Sequence, residues 1–513
     1  MDTGTALRMA ASHSPRRIAI LDRDRAVPYG ELAAEVDRLA AGLRSLGVRG
    51  GDRVVLAVAN SADAALMLFA IQAAGAVAIP VNFRTRSDSL AWILARTGAI
   101  ALIVDGNSAA SARDLQAPPP GLLVAQIDGE VDTLPGTLGI RDIRPHKVGR
   151  MPRVDDEDPA LILLTSGSTG APKLVKLSHR QSLARVYGLF MNHGFRLDDG
   201  MRALGLMPVY HTVGMHAVMM LPLLTGGSYH PVRSFSPPAV VPQISLEAIT
   251  YVFGTPTMFV RLISQFKEAA AYASVTDALY AGAPMSTDLV RRVAEVITPN
   301  LTHIYGNTET FNSLYHRSAA SAPGALVPGV FHRVRIANPA GASVREVPTG
   351  QVGELLVDLS SPEAFSGYDD LGRSDAAAVT GRWYRTGDAA VRDGHAIFIR
   401  GRIDDMIITG GENVYPAEVE DVLSVHPGVT DCAVLGSPDP TWGQLVTALV
   451  VRSDSSVTEE ALFSYCRNDR HMESHKCPRR ILFVDEIPIT ATGKRAVPEL
   501  RALASRLLEG AGN

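Results

Sequence analysis

The sequence predicts an α/β fold with a large N-terminal domain of layered sheets and helices and a small α+β C-terminal domain. The chain has 513 residues, which is too long for a single compact core. Helical and strand-like apolar patterns alternate in its N-terminal part, as is typical of a largely parallel sheet covered by helices. A short apolar strand over residues 161–164 then runs straight into a glycine-rich loop.

The N-terminal elements follow from the spacing of apolar residues. Residues 29–46 show helical spacing, and residues 52–58 read as a strand. The apolar run over residues 64–80 is predicted to be a buried helix that continues into a strand, because Gln72 and Gly75 interrupt it. Residues 113–154 are rich in Pro, Gly and Asp and are predicted to form an irregular connection.

The composition excludes several classes of protein. Lys and Arg number 49 against 53 Asp and Glu, which gives a net charge of −4 without a long basic run, so we expect no nucleic acid partner. Three cysteines are too few for a disulfide framework. With no secretion signal and no apolar membrane span evident, we expect a cytoplasmic protein that does not bind membranes.

The loop that follows residue 164 has the composition of a phosphate-binding loop. Glycines let the backbone turn tightly around an anion, while hydroxyl and amide hydrogens donate to phosphate oxygens. Ala171 and Pro172 separate Gly170 from Lys173, so the spacing is not that of the P-loop NTPases. A flexible surface loop is the alternative, although the loop stands between a buried strand and a predicted helix over residues 180–191 that Ser178 would cap. The candidate phosphate ligands are Thr165, Ser166, Gly167, Ser168, Thr169, Gly170 and Lys173.

Two later strands end in residues that suit a nucleotide or a second substrate. The first ends at Pro208 and brings His211 to the mouth of the sheet, where ligands of open α/β sheets bind, although a core histidine is the alternative. After the second, an aromatic ring can stack on a base, a hydroxyl can donate to a phosphate, and a carboxylate can hold Mg²⁺, whereas a plain strand-end turn is the alternative. That second strand ends in Tyr305, Gly306, Asn307, Thr308 and Glu309.

The C-terminal part carries two more candidate groups. Asp388 is predicted to lie in a turn after a strand, where it can accept hydrogen bonds from a ribose diol or form an Asx-turn. We place a domain boundary at Asp404, which divides the chain into residues 1–403 and 404–513. The second part has strands over 432–436, 446–451 and 481–484 and helices over 416–425 and 459–470, and it carries Lys494 after a Thr-Gly pair.

Seven strings occur along the chain in this order: TSGSTGAPK, PVYHTVG, AGAP, YGNTE, YRTGD, GRIDDMIITGGENVYP and PITATGK. Together they resemble the motif series of the adenylate-forming superfamily, the acyl-CoA synthetases and other AMP-binding enzymes, over nearly the whole chain. The strings LGLMPVYHTVG and IYGNTETFNSLYHR are most similar to the bacterial 4-chlorobenzoate–CoA ligase subfamily. The resemblance implies the adenylate-forming fold, with a mobile C-terminal domain.

The resemblance also implies roles in adenylation with ATP and Mg²⁺. The phosphate loop would hold the β- and γ-phosphates, Glu309 the Mg²⁺, and Asp388 and Arg402 the ribose, while Lys494 would bridge the acid and the α-phosphate. Tyr305 and the turn of Gly282, Ala283 and Pro284 would enclose the adenine. The implied catalytic residues are Lys494, Glu309 and His211, and Gly306, Asn307 and Thr308 complete the nucleotide set.

The two remaining sites are an acid pocket and a channel for coenzyme A, the implied co-substrate. The small domain would rotate about Asp404 to open the channel to the thiol. The pocket suits a small carboxylic acid, preferably an aromatic one such as a benzoate or cinnamate. The implied pocket residues are His211, Thr212, Val213, Met215, Ile304, Phe311 and Asn312. The implied channel residues are Gly410, Gly411, Glu412, Trp442 and Arg479, with Arg84 and Arg480 as further candidates.

Other readings stay open from the sequence. The activated acid could pass to an amine, a carrier protein or another small nucleophile or oxyanion, and the acid could be a short or medium-chain fatty acid. A zinc-bound module is a further alternative, with Cys466, His471, His475 and Cys477 as its ligands. A non-catalytic binding protein is disfavoured because Lys494, Glu309 and Asp388 are all present. A homodimer is also possible, since relatives commonly form one.

Overall fold

The computed structural model describes residues 1–116, 118–129, 136–143, 152–165, 172–197, 200–339, 343–369, 378–489 and 495–510. Four sheets contain the strands of this part of the chain. The strands are β1 Ile18–Asp22, β2 Arg25–Pro28, β3 Arg53–Ala57, β4 Val77–Val81, β5 Ala101–Val104, β6 Leu123–Gln126, β7 Leu138–Gly139, β8 Pro159–Thr165, β9 Lys173–Ser178, β10 Arg202–Gly205, β11 Ser228–Pro231, β12 Tyr251–Gly254, β13 Asp277–Tyr280, β14 Leu301–Asn307, β15 Phe311–His316, β16 Val327–Pro328, β17 Val334–Ala337, β18 Val352–Asp358, β19 Val379–Thr380, β20 Trp383–Asp393, β21 Ala396–Arg402, β22 Ile407–Thr409, β23 Glu412–Val414, β24 Val429–Asp439, β25 Gly443–Arg452 and β26 Arg480–Phe483.

Helices cover the faces of these sheets. The α-helices are α1 Thr3–His13, α2 Tyr29–Ser45, α3 Ala62–Ala73, α4 Ser87–Thr97, α5 Ala109–Arg113, α6 Ile140–Ile143, α7 His179–His193, α8 Leu221–Thr225, α9 Pro237–Leu246, α10 Pro256–Gln265, α11 Thr287–Val296, α12 Pro416–Ser424, α13 Glu459–Ser464 and α14 Val497–Gly510. Two π-helices span Val213–Met220 and Tyr465–Asp469, and short 3₁₀ turns span Ala269–Tyr272 and Ile403–Asp405.

The two largest sheets form the layered α/β domain that the sequence predicts. One has the strand order β7-β6-β5-β3-β4-β8-β9, and the other has the order β16-β15-β14-β13-β12-β10-β11-β1-β2. Their central strands run parallel, and antiparallel strands stand at edges of both sheets. Helix α3 lies inside the apolar core of this domain. It is apolar on all sides rather than along one stripe, and nearly every residue in it is buried.

Helix α7 confirms the predicted cap at Ser178. The Ser178 side chain accepts from the backbone N–H of Gln181, and the Gln181 side chain accepts from Ser178 N–H, which completes a capping box. The chain leaving β8, however, does not enter a helix directly. It returns as β9, antiparallel to β8, and only then forms α7. The predicted irregular connection is also partly wrong, because Leu123–Gln126 forms β6 and pairs in parallel with β5.

Two smaller sheets follow. β17 to β21 form an antiparallel sheet, and β22 to β26 form the sheet of the C-terminal part. The Ile403–Asp405 turn connects them, so Asp404 lies between two sheets, while the domain boundary there stays a prediction. Cys432, Cys466 and Cys477 are buried in the apolar core of the last sheet. No helix in the described ranges has both the length and the apolarity needed to cross a bilayer.

Candidate active site

The predicted phosphate loop begins and ends on neighbouring strands. Thr165, the last residue of β8, stands opposite Lys173, the first residue of β9. Ser166, Gly167, Ser168, Thr169 and Gly170 lie outside the described residues. The Lys173 ammonium lies 5.1 Å from the centroid of the Tyr368 ring, on the ring face. The hairpin therefore places the Lys173 cation beside Tyr368, which in turn contacts Glu309.

Glu309 is a buried carboxylate held by phenol hydroxyls. The Tyr368 hydroxyl donates to Glu309 Oε1 at 2.8 Å, and the Glu309 side chain is 6% exposed. Burial, and then the Glu309 charge, raises the pKa of Tyr368 above its ordinary value, and the same two causes raise the pKa of Tyr384. Both phenols therefore stay protonated and serve as donors. An oxygen ligand of this kind fits Mg²⁺, so the donor chemistry suits the predicted metal.

Asp388 pairs with an aromatic hydroxyl and a guanidinium. Tyr305 donates to Asp388 Oδ2 at 2.5 Å, and Arg402 Nη1 lies 3.3 Å from Asp388 Oδ1. Burial, and then the Asp388 charge, raises the pKa of Tyr305 well above its ordinary value. The prediction that Asp388 lies in a turn is wrong: it is inside β20, directly opposite Arg402 on β21. That pairing explains why the carboxylate and the guanidinium meet.

The segment between Tyr305 and Asn312 makes a tight turn from β14 to β15. Asn307 Oδ1 accepts from Thr310 N–H at 2.8 Å and from Thr310 Oγ1 at 2.9 Å. Phe311 adopts a φ of 58° although it is buried, which is a strained conformation for an aromatic residue. A Cβ on Gly306 would lie 1.6 Å from the Phe311 carbonyl oxygen, so only glycine fits there. The turn of Gly282, Ala283 and Pro284 follows β13, the strand next to β14.

The predicted acid-pocket residues lie on three neighbouring elements. His211 and Thr212 precede the Val213–Met220 π-helix, Val213 and Met215 lie within it, Ile304 is on β14, and Phe311 and Asn312 begin β15. Met215, Ile304 and Phe311 belong to one apolar cluster, and Val213 packs against it. These four side chains thus belong to or pack against the same large apolar cluster, and Thr212 is linked to Phe311 through His216.

His216 is an additional residue beside the predicted acid-pocket residues that sequence reasoning missed. Its Nδ1 lies 3.0 Å from the Thr212 carbonyl, and its ring meets Phe311 edge-on at 5.6 Å. The same nitrogen lies 3.1 Å from the Thr212 hydroxyl oxygen. Burial, and then the charge of Arg185, lowers the pKa of His216 well below 6.5, so the ring is neutral. The sequence offered one signal for His216: it stands about one helical turn after Thr212.

The candidate channel residues meet one another in the C-terminal part. The Arg479 guanidinium lies 4.2 Å from the Trp442 ring centroid, and Gly410 N–H donates to the Trp442 carbonyl at 2.9 Å. Gly410, Gly411 and Glu412 are exposed. Lys494 lies outside the described residues.

A cavity of about 210 Å³ lies next to His211. Tyr210, whose ring is 4.7 Å from that of His211, lines this cavity together with the cations Arg84, Arg233 and Arg261. Ile489 of the C-terminal part lines it as well. Residues of both parts of the chain therefore line this open cavity, and Tyr210 connects it to the predicted acid-pocket residue His211.

The alternative zinc module is wrong. In the part of the chain that the structure describes, which includes all four proposed ligands, no three His, Cys, Asp or Glu side chains are grouped as a metal site. Cys466 and Cys477 are buried in the apolar core, whereas His471 is exposed.

The layered sheets and this set of side chains fit the predicted class of protein, an enzyme that binds a nucleotide and a second substrate. The chain belongs to the AMP-binding enzyme family, whose sequence profile matches residues 7–369, and the profile of the AMP-binding enzyme C-terminal domain matches residues 418–494. This confirms the predicted superfamily and its fold.

Individual relatives are similar over nearly their whole length. A 4-chlorobenzoate–CoA ligase of Arthrobacter sp is 34% identical over 500 residues, covering 96% of this chain and 93% of the relative. A feruloyl-CoA synthase of Amycolatopsis sp is 36% identical over 502 residues, covering 96% of each. The crystal structure of the anthranilate CoA ligase AuaEII with anthranoyl-AMP superimposes with a TM-score of 0.88 at 25% identity, covering 99% of this chain and 98% of that one.

Proposed function

We propose that the protein is an ATP-dependent, AMP-forming ligase that activates an aromatic carboxylic acid and transfers the acyl group to coenzyme A. The observation that supports this most directly is the 305–312 segment. Within one turn of chain it presents Tyr305 to Asp388, Glu309 to Tyr368, and Phe311 to the acid-pocket wall. A nucleotide held at one end of this segment and an acid held at the other would meet beside Glu309.

In the first half-reaction, a carboxylate oxygen of the acid would attack the α-phosphorus of ATP. The bond from that phosphorus to pyrophosphate breaks, and the products are pyrophosphate and an acyl-adenylate. Asp388 and Arg402 would hold the ribose, and Lys173 would hold the outer phosphates. Glu309 would hold Mg²⁺, which supplies positive charge against the phosphate oxygens. Lys494 is proposed as the cation that bridges the acid and the α-phosphate.

In the second half-reaction, the sulfur of coenzyme A would attack the acyl carbon, and the carbon–oxygen bond to AMP breaks. The thioester forms, AMP leaves with the electron pair of that bond, and the thiol proton passes to solvent. The cavity beside Tyr210 supports this step, because its three arginines suit an anionic co-substrate and Ile489 connects it to the C-terminal part. The turn of Gly410, Gly411 and Glu412 is proposed to line the thiol path after a rotation about Asp404.

The test is ATP-dependent pyrophosphate release across matched benzoates, cinnamates, fatty acids and amino acids, each with and without coenzyme A. Turnover on an aromatic acid that requires coenzyme A and yields a thioester is the expected result. An adenylate that forms but never passes to coenzyme A would leave an amine, a carrier protein or another nucleophile as the acceptor. A preference for fatty acids would replace the aromatic substrate class, and silence on every acid would refute the proposal.

A further inference from the structure

Arg185 is a charged residue in the middle of the protein core. It lies on α7 between the buried residues Leu183 and Val186, and its own side chain is fully buried. Burial lowers the pKa of Arg185 to about 9, against the opposing charges of Glu363 and Glu309, so the guanidinium remains protonated at neutral pH. A buried cation is costly, and apolar residues of similar volume often replace such groups without loss of stability. Stability alone therefore does not account for an arginine here.

The hydrogen-bond partners of Arg185 come from three separate segments. Nη1 donates to Thr212 Oγ1 at 3.0 Å, and Nε donates to the Glu363 carbonyl at 2.9 Å. Nη2 donates to the Thr308 carbonyl at 2.9 Å and lies 3.3 Å from that of Glu309. The Glu309 carbonyl also accepts from Phe365 N–H at 2.8 Å, so Arg185 and Phe365 both contact that carbonyl oxygen.

These segments are the ones that carry the two substrate sites. Thr212 begins the acid-pocket wall, and Glu309 carries the carboxylate proposed for Mg²⁺. The guanidinium also lies over the ring of Phe311, 5.3 Å from its centroid. A guanidinium is a planar fork whose donors keep fixed relative directions. A shift of Thr212 is therefore transmitted to the Thr308–Glu309 peptide through one rigid group.

We propose that Arg185 is a positioning residue that couples the acid pocket to the Glu309 carboxylate, so that binding of the acid and binding of Mg·ATP favour each other. This inference rests on the proposed function, because it uses both substrates. Arg185 touches neither substrate itself. Coupling of this kind is reciprocal: the factor by which acid improves Mg·ATP binding equals the factor by which Mg·ATP improves acid binding.

The test compares Arg185→Lys and Arg185→Met with a matched core variant, Val186→Ala. Val186 is the next residue of α7 and is fully buried in the same apolar core, but it has no polar group to fix either loop. Pyrophosphate release is measured over a grid of acid and Mg²⁺ concentrations at fixed ATP, equilibrium binding of a non-cleavable Mg·ATP analogue is measured with and without acid, and unfolding by urea is measured for each protein. We expect Arg185→Met to raise both the KM for acid and the half-saturating Mg²⁺ by about 10-fold or more, because each charge-assisted hydrogen bond is lost.

The coupling itself separates a positioning role from a structural one. In the wild type, saturating acid should lower the half-saturating Mg²⁺, and in Arg185→Met that effect should vanish. Arg185→Lys keeps the charge without the fork and should fall between the two. Val186→Ala should lower stability while leaving the coupling unchanged.

Thr212→Val keeps the inference testable if the Arg185 variants do not fold. It removes only the hydroxyl that Nη1 binds, and it should still raise the half-saturating Mg²⁺ at a site that Thr212 does not touch. A wild type without coupling, or Arg185 and Thr212 variants that behave like Val186→Ala, would overturn this inference and leave the proposed function standing. Absence of pyrophosphate release with every acid in the wild type would overturn both.

Discussion

Replacing Gly188 with alanine should destabilise the protein although it adds a single methyl group to a helix. A Cβ at this position would lie 2.0 Å from Oε1 and 2.8 Å from Cδ of Glu363, and 3.1 Å from Cδ2 of Phe331. Ordinary contact begins at 3.4 Å, so the Glu363 carboxyl has to retreat by 3.4 − 2.0, about 1.4 Å. Glu363 is fully buried in a packed core, so the retreat moves its neighbours as well.

The size of the effect follows from two opposing contributions. Overpacking a core costs about 1 to 3 kcal/mol, whereas exchanging glycine for alanine inside a helix contributes about 1 kcal/mol of stability. We therefore expect a net loss of about 1 kcal/mol in the free energy of unfolding. Urea unfolding followed by tryptophan fluorescence measures it as a lower midpoint with an unchanged slope.

The Glu363→Ala background is the decisive control. Removing the carboxyl frees the space that the new methyl needs, so Gly188→Ala should cost nothing there and should expose the helix-forming advantage of alanine. An equal loss of unfolding free energy in both backgrounds, or no loss in the wild type, would show that overlap with Glu363 is not the cause. The difference between the two costs is the coupling energy of the pair.

Three further predictions concern the candidate active site and the core. Asp388→Asn should raise the KM for ATP by about 10-fold or more and leave the KM for acid nearly unchanged, since it weakens the proposed ribose contacts and the pairing with Tyr305 and Arg402 on the nucleotide side. Equal effects on both constants would contradict that role. Glu309→Gln should lower kcat by about 10²- to 10³-fold, and extra Mg²⁺ should not restore kcat. Recovery of kcat at high Mg²⁺ would instead indicate that Glu309 contributes to metal affinity alone. Burial, and then His316, lowers the pKa of His303 to about 3, so the folded state binds fewer protons than the unfolded state below pH 6.5 and loses stability as the pH falls. Between pH 6.5 and about 5, the free energy of unfolding of the wild type should therefore fall by roughly 2 kcal/mol more than that of His303→Phe, which keeps the stack on Tyr280. Parallel losses of the two proteins in urea titrations would exclude His303 as the cause.

Local signals in the sequence predicted the parts of the fold that depend on neighbouring residues. Ser178 with Gln181 marks the start of α7, and the apolar run with its interrupting Gly75 marks α3 and β4. Asp388 was misplaced because its partner Arg402 comes from the next strand, and the sequence does not reveal that register. β6 was missed because its four residues gain their regular structure only by pairing with β5.

The candidate site likewise contains residues that the sequence reveals and residues that only the structure reveals. Glu309, Asp388 and Lys173 stand in strings of distinctive composition, so the sequence alone singled them out. Arg185 does not: a single arginine on a helix is ordinarily a solvated residue. Its partners Thr212 and Glu363 lie 27 and 178 positions away along the chain, and no local pattern connects them. Only the folded arrangement shows that its side chain is buried between segments that carry the two proposed substrate sites.

The π-helix over Val213–Met220 has a consequence for how this pocket can diversify during evolution. Its last turn hydrogen-bonds five residues back, from Leu221 N–H to the His216 carbonyl, so it holds one residue more than an α-helical turn. Loss of a single codon here would let the stretch close as an α-helix and would rotate the side chains beyond it by roughly 100°. One deletion would thus change several of the side chains that this helix presents near the predicted acid pocket, a change that otherwise requires several separate substitutions. New substrate ranges can arise in such a lineage through changes in length as well as through changes in residue type.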